Sequence, residues 1–545
     1  MKIALCQINP IVGDLEGNAD LIIKYYKMAK DLGADLAVFP ELALTGYPPL
    51  DLIERKDFIT KALDVLSKKI LPNITDCAVV VGCINHNKND GKPYYNSAFF
   101  MDQKKIVSVI NKQLLPNYDL FDERRYYEKG LRSSPVYYKG KRLGIHICED
   151  MWRNEDESSK KLYEVDPVDD LGSQGVDIFI NLSASPFARG KDSIRHRIMK
   201  EYSSKWHVPF LMVNTVGAND SIVFDGRSKF VASKGKVIVE AKAFEEDFVM
   251  IDTEQEIDVK LKEYSDIETI YKALVLGLKD YLIKNRLKGV IIGLSGGIDS
   301  TICTVLAKEA IGAENVTCIT MPTRYSSPGS VLDSQKLCKN LGIELIEMSI
   351  ESSFNKMVET VNNNIETRLR DIALENLQPR IRGSILMAVS NTREGRIVVA
   401  PGNKSEIATG YCTIYGDTCG ALALIGDLYK TEVYELARFI NREKEIIPKE
   451  IIDKKPSAEL RHDQYDSDSL PNYDELDLVL KMYIEDDLSP EEIYQLAPVD
   501  KETVDKIVDL VIRNEFKRKQ LPPIIKVSAK SFVLDRRWPI VHRFR

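Results

Sequence analysis

Short apolar runs alternate with turn-rich stretches along the first half of the chain, and this pattern predicts many strands. Several runs are apolar at successive positions, as in Ala78-Val79-Val80-Val81, so both faces of those strands are expected to be buried. Residues 18–32 instead repeat apolar side chains at helical spacing. The predicted strands are residues 2–8, 35–39, 77–84, 97–101, 105–110, 142–148, 177–181, 209–214 and 237–239. The first half is therefore predicted to be a layered α/β fold.

A polar stretch separates this half from a second one with a different rhythm. Residues 256–265 are charged and lack a strong hydrophobic period, so we interpret them as a linker between domains 1–255 and 266–545. A long helix is predicted over residues 266–285. Strands and helices then alternate, with strands at 289–294, 316–321, 343–348 and 396–399 and helices at 299–311 and 330–341. This alternation predicts a doubly wound parallel sheet.

The composition excludes several broad classes of protein. With 44% hydrophobic residues in 545, the chain can fill a large core, which excludes global disorder. A net charge of −7 argues against a protein built around binding the nucleic-acid backbone. No apolar run approaches the roughly 20 residues of a membrane helix, and the N-terminal run is too short for a signal peptide. Nine cysteines without a CxxC pair fit reduced thiols in a cytoplasm rather than a disulfide framework or zinc ribbon.

A glycine-rich segment in the second half, Ser295-Gly296-Gly297-Ile298-Asp299-Ser300, lies between a predicted buried strand and a predicted helix. The glycines allow the backbone to approach an anion closely. Helix N-terminal N–H groups and the hydroxyls of Ser295 and Ser300 then offer hydrogen-bond donors to a phosphate. The segment is not a Walker A loop, because GxxxxGK[ST] is absent. An ordinary glycine-rich turn is the alternative, which the strand–loop–helix context disfavours.

This segment resembles the loop of the PP-loop ATP pyrophosphatases, an adenine nucleotide α-hydrolase-like superfamily that adenylates an oxygen and releases pyrophosphate. Within that superfamily, the chain from about residue 267 onward resembles the NAD synthetases. The matching blocks are Glu375-Asn376-Leu377-Gln378, Arg380-Ile381-Arg382-Gly383, Gly402-Asn403-Lys404-Ser405-Glu406, Tyr415-Gly416-Asp417, Pro456-Ser457-Ala458-Glu459-Leu460 and Asn514-Glu515-Phe516-Lys517-Arg518-Lys519-Gln520.

The resemblance to NAD synthetases implies a set of ligand contacts. It assigns ATP to Gly293, Ser295, Gly296, Gly297, Asp299 and Ser300, deamido-NAD to Asn376, Glu406 and Lys517, and Mg²⁺ to Asp299 and Glu406. Taken alone, Lys517 is equally compatible with a solvated helix lysine. The sequence departs from the family at Pro401, where the family block usually has a threonine expected to contact ATP. Proline has neither a hydroxyl nor a backbone N–H, so that one contact is in doubt.

In the first half, Glu41, Lys112 and Cys148 follow or end predicted strands, and strand ends of an α/β layer converge at one crevice. A thiolate attacks amide carbonyls, a carboxylate can accept the thiol proton, and an ammonium favours the thiolate and the oxyanion. Each residue also has a plain structural interpretation: core cysteine, helix N-terminal carboxylate and surface lysine. His146 would share a strand face with Cys148, so a Cys–His pair is a rival, although a core histidine is the more common situation.

The three residues resemble the catalytic set of the nitrilase, or carbon–nitrogen hydrolase, superfamily, and the likeness covers about residues 1 to 250. The matching blocks are Pro40-Glu41, Lys112-x-x-Leu115-Pro116-Asn117-Tyr118, Phe121-Asp122-Glu123 and Ile147-Cys148-Glu149-Asp150-x-Trp152. The resemblance implies a four-layer αββα sandwich, with Glu41 as general base, Lys112 as oxyanion partner and Cys148 as nucleophile. The segment Asn181-Leu182-Ser183-Ala184-Ser185-Pro186-Phe187, with Lys191, resembles the glutamine-binding part of glutaminase members, which implies glutamine contacts at Tyr118, Ser185 and Lys191.

Together, the two resemblances imply ATP-dependent amidation of deamido-NAD to NAD, the last step of NAD biosynthesis, with ammonia from glutamine. Deamido-NAD would be adenylated with release of pyrophosphate, and ammonia would then displace AMP. The family also implies Mg²⁺ and a homo-oligomer, typically an octamer, without nucleic-acid or membrane partners. Two alternatives remain: a glutamine-fed ligase with a different acceptor, and a non-enzymatic scaffold with degenerate sites. The blocks around Asn376, Gly402–Glu406 and Lys517 argue against the first. The intact Glu41, Lys112, Cys148 and Ser295–Ser300 argue against the second.

Overall fold

The structure, a computed structural model, describes residues 1–152, 162–255, 262–532, 534–542 and 544. The chain forms two compact units, Met1–Tyr264 and Ser265–Arg545. Residues 256–261 of the predicted linker lie outside the described residues. Throughout the described ranges, we find no helix whose length and apolar character would let it cross a membrane.

The first unit contains two six-stranded sheets and one two-stranded sheet. Its strands are β1 Lys2–Gln7, β2 Leu36–Val38, β3 Ala78–His86, β4 Tyr94–Asp102, β5 Lys105–Asn111, β6 Val136–Tyr138, β7 Lys141–Ile147, β8 Ile178–Ser183, β9 Phe210–Asn214, β10 Val216–Asn219, β11 Ile222–Asp225, β12 Lys229–Val231, β13 Val237–Glu240 and β14 Asp247–Asp252. Its helices are α1 Leu15–Asp31, α2 Lys56–Val65, α3 Glu123–Tyr126, α4 Pro167–Ser173 and α5 Lys191–Trp206. The strand orders are β14-β1-β2-β3-β4-β5, β13-β12-β9-β8-β7-β6 and β10-β11.

Alternation along the strands builds four layers in this unit. Residues such as Leu5 on β1 and Ile145 on β7 belong to one core between the two large sheets. Their neighbours on the opposite faces, such as Cys6, contact α1 and α2. Phe179 and Phe210 on the second sheet pack against α4 and α5. The predicted αββα sandwich is therefore confirmed.

The second unit contains one five-stranded sheet with helices on both faces. Its strands are β15 Gly289–Gly293, β16 Val316–Thr320, β17 Glu344–Glu347, β18 Arg396–Ala400 and β19 Leu422–Ala423. Its helices are α6 Asp266–Lys284, α7 Ile298–Ile311, α8 Pro328–Leu341, α9 Glu351–Asn362, α10 Ile372–Thr392, α11 Lys404–Thr409, α12 Lys430–Ile440, α13 Lys449–Asp453, α14 Tyr473–Ile484, α15 Pro490–Leu496, α16 Lys501–Arg513 and α17 Glu515–Arg518.

All pairs in this sheet are parallel, and the strand order is β17-β16-β15-β18-β19. Ile291, Ile319 and Val398 on one face pack against α9 and α10. Chain order reverses between β15 and β18, and ligands of doubly wound sheets bind at such a reversal, beyond the carboxyl ends of the strands. The predicted doubly wound parallel sheet is confirmed, and this reversal marks where a ligand is expected.

Candidate active sites

Glu41, Lys112 and Glu123 form a buried ion cluster in the first unit. Lys112 Nζ lies 2.8 Å from Glu41 Oε1 and 2.8 Å from Glu123 Oε1. Asn96 Nδ2 donates to Glu41 Oε1 at 2.7 Å, and the backbone N–H of Ala184 donates to Glu41 Oε2 at 3.0 Å. Both oxygens of Glu41 are thus held in place before any substrate arrives.

Cys148 lies directly after β7, at the start of a short 3₁₀ turn, Cys148–Met151. Its φ of +40° is in the left-handed region, which is uncommon for a residue other than glycine. The Asp150 carboxylate accepts the N–H of Ile147 at 2.9 Å and those of Gln113 and Leu114 at 2.9 and 2.8 Å. One side chain therefore ties the cysteine turn to the segment that follows Lys112.

The protonation states of the cluster follow from burial and charge. Burial raises the pKa of the Cys148 thiol well above its usual value, and Glu41 adds to this while Lys112 opposes it. Burial alone would lower the pKa of Lys112, but Glu123 and Glu41 together hold that pKa well above its usual value. Burial raises the pKa of Glu123 to about 7 despite Lys112. The resting site thus holds a protonated thiol and an ammonium.

His146 does not share a face with Cys148. The imidazole ring of His146 packs against the rings of Phe179 and Phe210, with centroids 6.3 and 5.3 Å away, under the helix layer. Cys148 instead belongs to the core between the sheets, because β7 ends at Ile147 and the positive φ breaks the strand alternation. Burial lowers the pKa of His146 to about 4, so it is neutral. The rival Cys–His pair is wrong.

Tyr118 contacts a carboxylate to which the sequence analysis assigned no role. Its hydroxyl donates to Glu149 Oε1 at 2.7 Å, and the hydroxyl of Tyr163 donates to the same oxygen at 2.8 Å. Burial raises the pKa of Glu149, and the cations of Lys112 and Lys191 act in the opposite direction. Glu149 is therefore a buried acid beside the candidate nucleophile. Its signal in the sequence was an acidic residue directly following Cys148.

Lys191 and Ser185 lie near this cluster. Lys191 is the first residue of α5, and its Nζ lies 5.3 Å from the ring centroid of Trp152. The backbone N–H of Ser185 donates to Asn214 Oδ1 at 2.8 Å. The Ser185 hydroxyl is buried, and no hydrogen-bond partner for it exists among the described residues. Ser185 follows Ala184, whose N–H donates to Glu41 Oε2, so it is the chain neighbour of a residue that holds the general-base candidate.

In the second unit, residues 295–300 lie at the sheet's reversal point. They form the turn after β15 and the first residues of the 14-residue helix α7, and we call them loop 295–300. Gly296 has φ +77°, and a Cβ there would lie 2.4 Å from the carbonyl oxygen of Ser330, so no side chain fits. Ser295 Oγ lies 3.1 Å from Ser300 Oγ and accepts the Gly297 N–H at 3.3 Å. The loop is therefore held by its own hydroxyls, with the positive end of a helix dipole behind it.

A cavity of about 560 Å³ opens at this loop, a size typical of small-molecule sites. Every predicted ATP and deamido-NAD contact except Gly296 lines it: Gly293, Ser295, Gly297, Asp299, Ser300, Asn376, Glu406 and Lys517. Pro401 also lines it. The structure therefore brings together residues that are up to 224 positions apart in the chain, from Gly293 to Lys517.

Asp299 and Glu406 share a lysine that the sequence analysis did not single out. Lys430 Nζ lies 2.5 Å from Asp299 Oδ2 and 3.4 Å from Glu406 Oε1. Asn403 Nδ2 donates to Asp299 Oδ1 at 2.9 Å. Burial, with the Asp299 charge, raises the pKa of Glu406 to about 8. Two carboxylates in one buried site thus repel each other, and added positive charge would relieve this.

The donor set suits Mg²⁺ only in part. In the described portion of the chain, no three His, Cys, Asp or Glu side chains are grouped so as to hold a metal ion. Mg²⁺ usually takes one or two protein carboxylates and completes its shell with substrate phosphates and water. Asp299 and Glu406 fit that role beside a phosphate loop, with the remaining ligands coming from a nucleotide.

Lys517, Asn376 and Arg382 bring polar groups to other parts of the cavity wall. Lys517 Nζ donates to the carbonyls of Gly410 and Cys412 at 2.6 and 2.9 Å, so it is not a solvated helix lysine. Asn376 Oδ1 accepts a hydrogen bond from a neighbouring threonine hydroxyl at 2.9 Å. Arg382 was not predicted as a contact. Its Nε donates to a backbone carbonyl at 3.1 Å, and burial lowers its pKa to about 10.

Comparison with known proteins matches both units to families. The carbon–nitrogen hydrolase model matches residues 2–258, and the NAD synthase model matches residues 270–521. The glutamine-dependent NAD(+) synthetase of Synechocystis sp. is 41% identical over 559 residues, covering 99% of each chain. The chain belongs to the glutamine-dependent NAD(+) synthetase family.

Other members of the glutamine-dependent NAD(+) synthetase family agree with this assignment. The enzyme of Thermotoga maritima is 40% identical over 586 residues, covering 100% of this chain and 99% of its own. The Acinetobacter baumannii enzyme, solved in complex with ADP, is 35% identical with a TM-score of 0.78, covering 99% of this chain and 98% of its own. The chain is thus a ligase that uses glutamine as amide donor, as the two resemblances predicted.

Proposed function

We propose that the chain amidates deamido-NAD to NAD with ATP and the amide nitrogen of glutamine. Residues 1–255 would hydrolyse glutamine, and residues 266–545 would adenylate and amidate deamido-NAD. The observation that carries this proposal is the buried Glu41–Lys112 pair beside Cys148 in one unit and the phosphate-loop cavity in the other. Each unit therefore holds the groups that its half-reaction requires.

In the first half-reaction, Cys148 Sγ attacks the side-chain amide carbon of glutamine while Glu41 accepts the thiol proton. The ammonium of Lys112, fixed between two carboxylates, stabilises the oxyanion. The C–N bond then breaks, and Glu41 returns its proton to the departing ammonia. Water, deprotonated by Glu41, hydrolyses the thioester to glutamate and regenerates the thiol.

Recognition of glutamine fits the charges around this site. Free glutamine carries an ammonium and a carboxylate on its α-carbon. The buried Glu149 carboxylate, oriented by Tyr118 and Tyr163, suits the ammonium. Lys191 suits the carboxylate, and the Ser185 hydroxyl offers a buried polar partner. These contacts would favour a free amino acid over an amide within a peptide.

In the second half-reaction, loop 295–300 would hold the ATP phosphates, and the deamido-NAD carboxylate would attack the α-phosphorus. Two anions must approach each other, and the cations of Lys430, Lys517 and Arg382 in the cavity wall offset their repulsion. Mg²⁺, when held by Asp299 and Glu406, would add positive charge at the phosphate oxygens. Pyrophosphate leaves, ammonia attacks the acyl adenylate, and AMP departs. The ADP bound by the Acinetobacter baumannii relative supports an adenine nucleotide as ligand.

The test is to incubate the protein with Mg-ATP, glutamine and deamido-NAD and to measure NAD, AMP, pyrophosphate and glutamate. We expect all four products, and loss of NAD when any substrate is omitted. Ammonium chloride in place of glutamine should restore NAD in the variant Cys148→Ala. AMP release with another carboxylic acid but not with deamido-NAD would overturn the proposal in favour of a different glutamine-fed ligase.

A further inference from the structure

The short helix α11 carries Glu406, which lines the synthetase cavity, and its N-cap Asn403 holds Asp299 of the cavity wall by a hydrogen bond of 2.9 Å. Asn403 is its N-cap and Glu406 lies in its first turn, and the two form a reciprocal capping box. The helix spans six residues, Lys404–Thr409, which is too short to hold its own orientation. The placement of Asn403 and Glu406 therefore depends on what packs against the rest of α11.

Lys404, between these two residues, points away from the cavity and is fully buried. Its Nζ donates to Ser528 Oγ at 2.7 Å, to the carbonyl oxygen of Lys530 at 2.6 Å and to Glu485 Oε1 at 2.7 Å. Two of these three partners belong to the C-terminal segment. We call that segment, residues 523–532 and 534–536, the C-terminal clasp.

Asp427 holds the clasp from the other side of Lys404. Its Oδ2 accepts the N–H groups of Val527 and Ser528 at 2.8 and 2.7 Å, and its Oδ1 accepts the Ser528 hydroxyl at 2.8 Å. The same Oδ1 lies 3.0 Å from Lys404 Nζ. Lys404, Asp427 and Ser528 are all buried, so each depends on the others for a partner.

The opposite end of α11 is held by Arg518 of α17, against which the clasp packs. Arg518 Nη1 donates to the carbonyl oxygen of Ala408 in the last turn at 2.6 Å. Arg518 and Arg536 of the clasp both pair with Glu515 Oε2, at 2.8 and 2.6 Å. The side chain of Phe532, also in the clasp, lies under the Arg518 guanidinium at 5.2 Å. The clasp therefore contacts the first turn of α11 directly, through Lys404, and the last turn indirectly, through Arg518.

We propose that the C-terminal clasp is a positioning element of the synthetase site and that it acts on α11 through Lys404. The clasp lies beyond residue 521, where the match to the NAD synthase family model ends. It holds α11 in the rotation that directs Glu406 into the cavity and keeps Asn403 on Asp299, while Lys404 itself touches no substrate. This inference rests on the proposed function, because it assigns Glu406 to deamido-NAD and the nucleotide site.

The test compares Lys404→Met with Lys284→Met, both assayed with ammonium chloride so that the first unit is not needed. Lys284 is a half-buried lysine paired with Asp280 on α6, so its variant loses an ion pair away from α11. We expect Lys404→Met to raise the KM for deamido-NAD about tenfold, the equivalent of one lost charged contact. A purely structural defect would reduce the fraction of correctly folded enzyme. It would therefore lower the apparent kcat in both variants and leave KM unchanged.

Ser528→Ala decides the matter if Lys404→Met does not fold, because it removes one hydroxyl and leaves both backbone bonds to Asp427. We expect a smaller KM increase, about threefold, and recovery in Ser528→Thr, which keeps the hydroxyl. If the KM for deamido-NAD is unchanged in Ser528→Ala, the proposal that the clasp positions α11 is overturned, whatever the result for Lys404→Met. A wild-type enzyme that makes no NAD would instead overturn the proposed function, so the two failures are distinguishable.

Discussion

Replacing Glu41 with Gln removes the proposed base with almost no change in shape. The carboxylate accepts from Asn96, Lys112 and the Ala184 N–H at 2.7, 2.8 and 3.0 Å, so both of its oxygens face donors. A glutamine side chain must turn its NH₂ group toward one of these donors. That donor then has no acceptor, which should lower the free energy of unfolding by about 1–3 kcal/mol. Lys112 keeps its bond to Glu123, so the fold should survive.

The effect of Glu41→Gln on activity should be larger than its effect on stability, and it should appear only when glutamine is the nitrogen donor. A positioned general base contributes roughly 10²–10⁴-fold, so glutamine-fed NAD synthesis by Glu41→Gln should fall by at least about 100-fold. Ammonium-fed synthesis should stay near the wild-type rate. The assay is NAD formation with each donor, alongside urea unfolding to measure stability. A loss below about tenfold with glutamine, or an equal loss with ammonium, would refute the assignment of Glu41 as base.

Four further variants test the rest of the two sites. Cys148→Ala should abolish glutamine-fed synthesis and spare ammonium-fed synthesis; equal loss with both donors in a folded variant would contradict two separate sites. Asp299→Ala and Ser300→Ala should each cost roughly 100-fold, or about 3 kcal/mol, with either donor, and near-normal ammonium-fed turnover would contradict the phosphate loop. Pro401→Thr should lower the KM for ATP several-fold with kcat little changed, which initial rates over a range of ATP concentrations will show. Thr409 cannot supply the missing hydroxyl, because the Thr409 hydroxyl already donates to the carbonyl oxygen of Ser405 within α11, at 2.8 Å.

Local hydrophobic patterns in the sequence predicted those parts of the fold that are formed by segments close together in the chain. The strand–helix alternation after residue 289 predicted the parallel sheet, because each strand there is followed by its own crossover helix. The strand β14, Asp247–Asp252, was missed, since its partner β1 is at the other end of the unit and no local signal marks the pairing. The strands β10, β11 and β12 were missed as well, because they are too short to show an alternating pattern.

The candidate sites show the same limit. Residues directly after strands, such as Cys148, were identifiable because strand ends converge by topology. Lys430 and Arg382 were not, because their importance comes from partners and a cavity that only the folded chain assembles. His146 is the core histidine that was favoured. The rival, in which it shares a strand face with Cys148, fails for a similar reason, since side-chain alternation breaks at one residue with a positive φ.

The Asp150 carboxylate has a consequence for how the glutaminase site comes apart. It accepts N–H groups from Ile147, before the nucleophile, and from Gln113 and Leu114, after the lysine. A fluctuation that opens the cysteine turn carries Asp150 away and leaves the N–H groups of Gln113 and Leu114 without their acceptor, so the two segments should open together. Their amide hydrogens should therefore exchange with solvent at a common rate. A locally opened molecule loses the Cys148 nucleophile and the Lys112 ammonium together. It is therefore inactive, rather than a slow and unselective amidase.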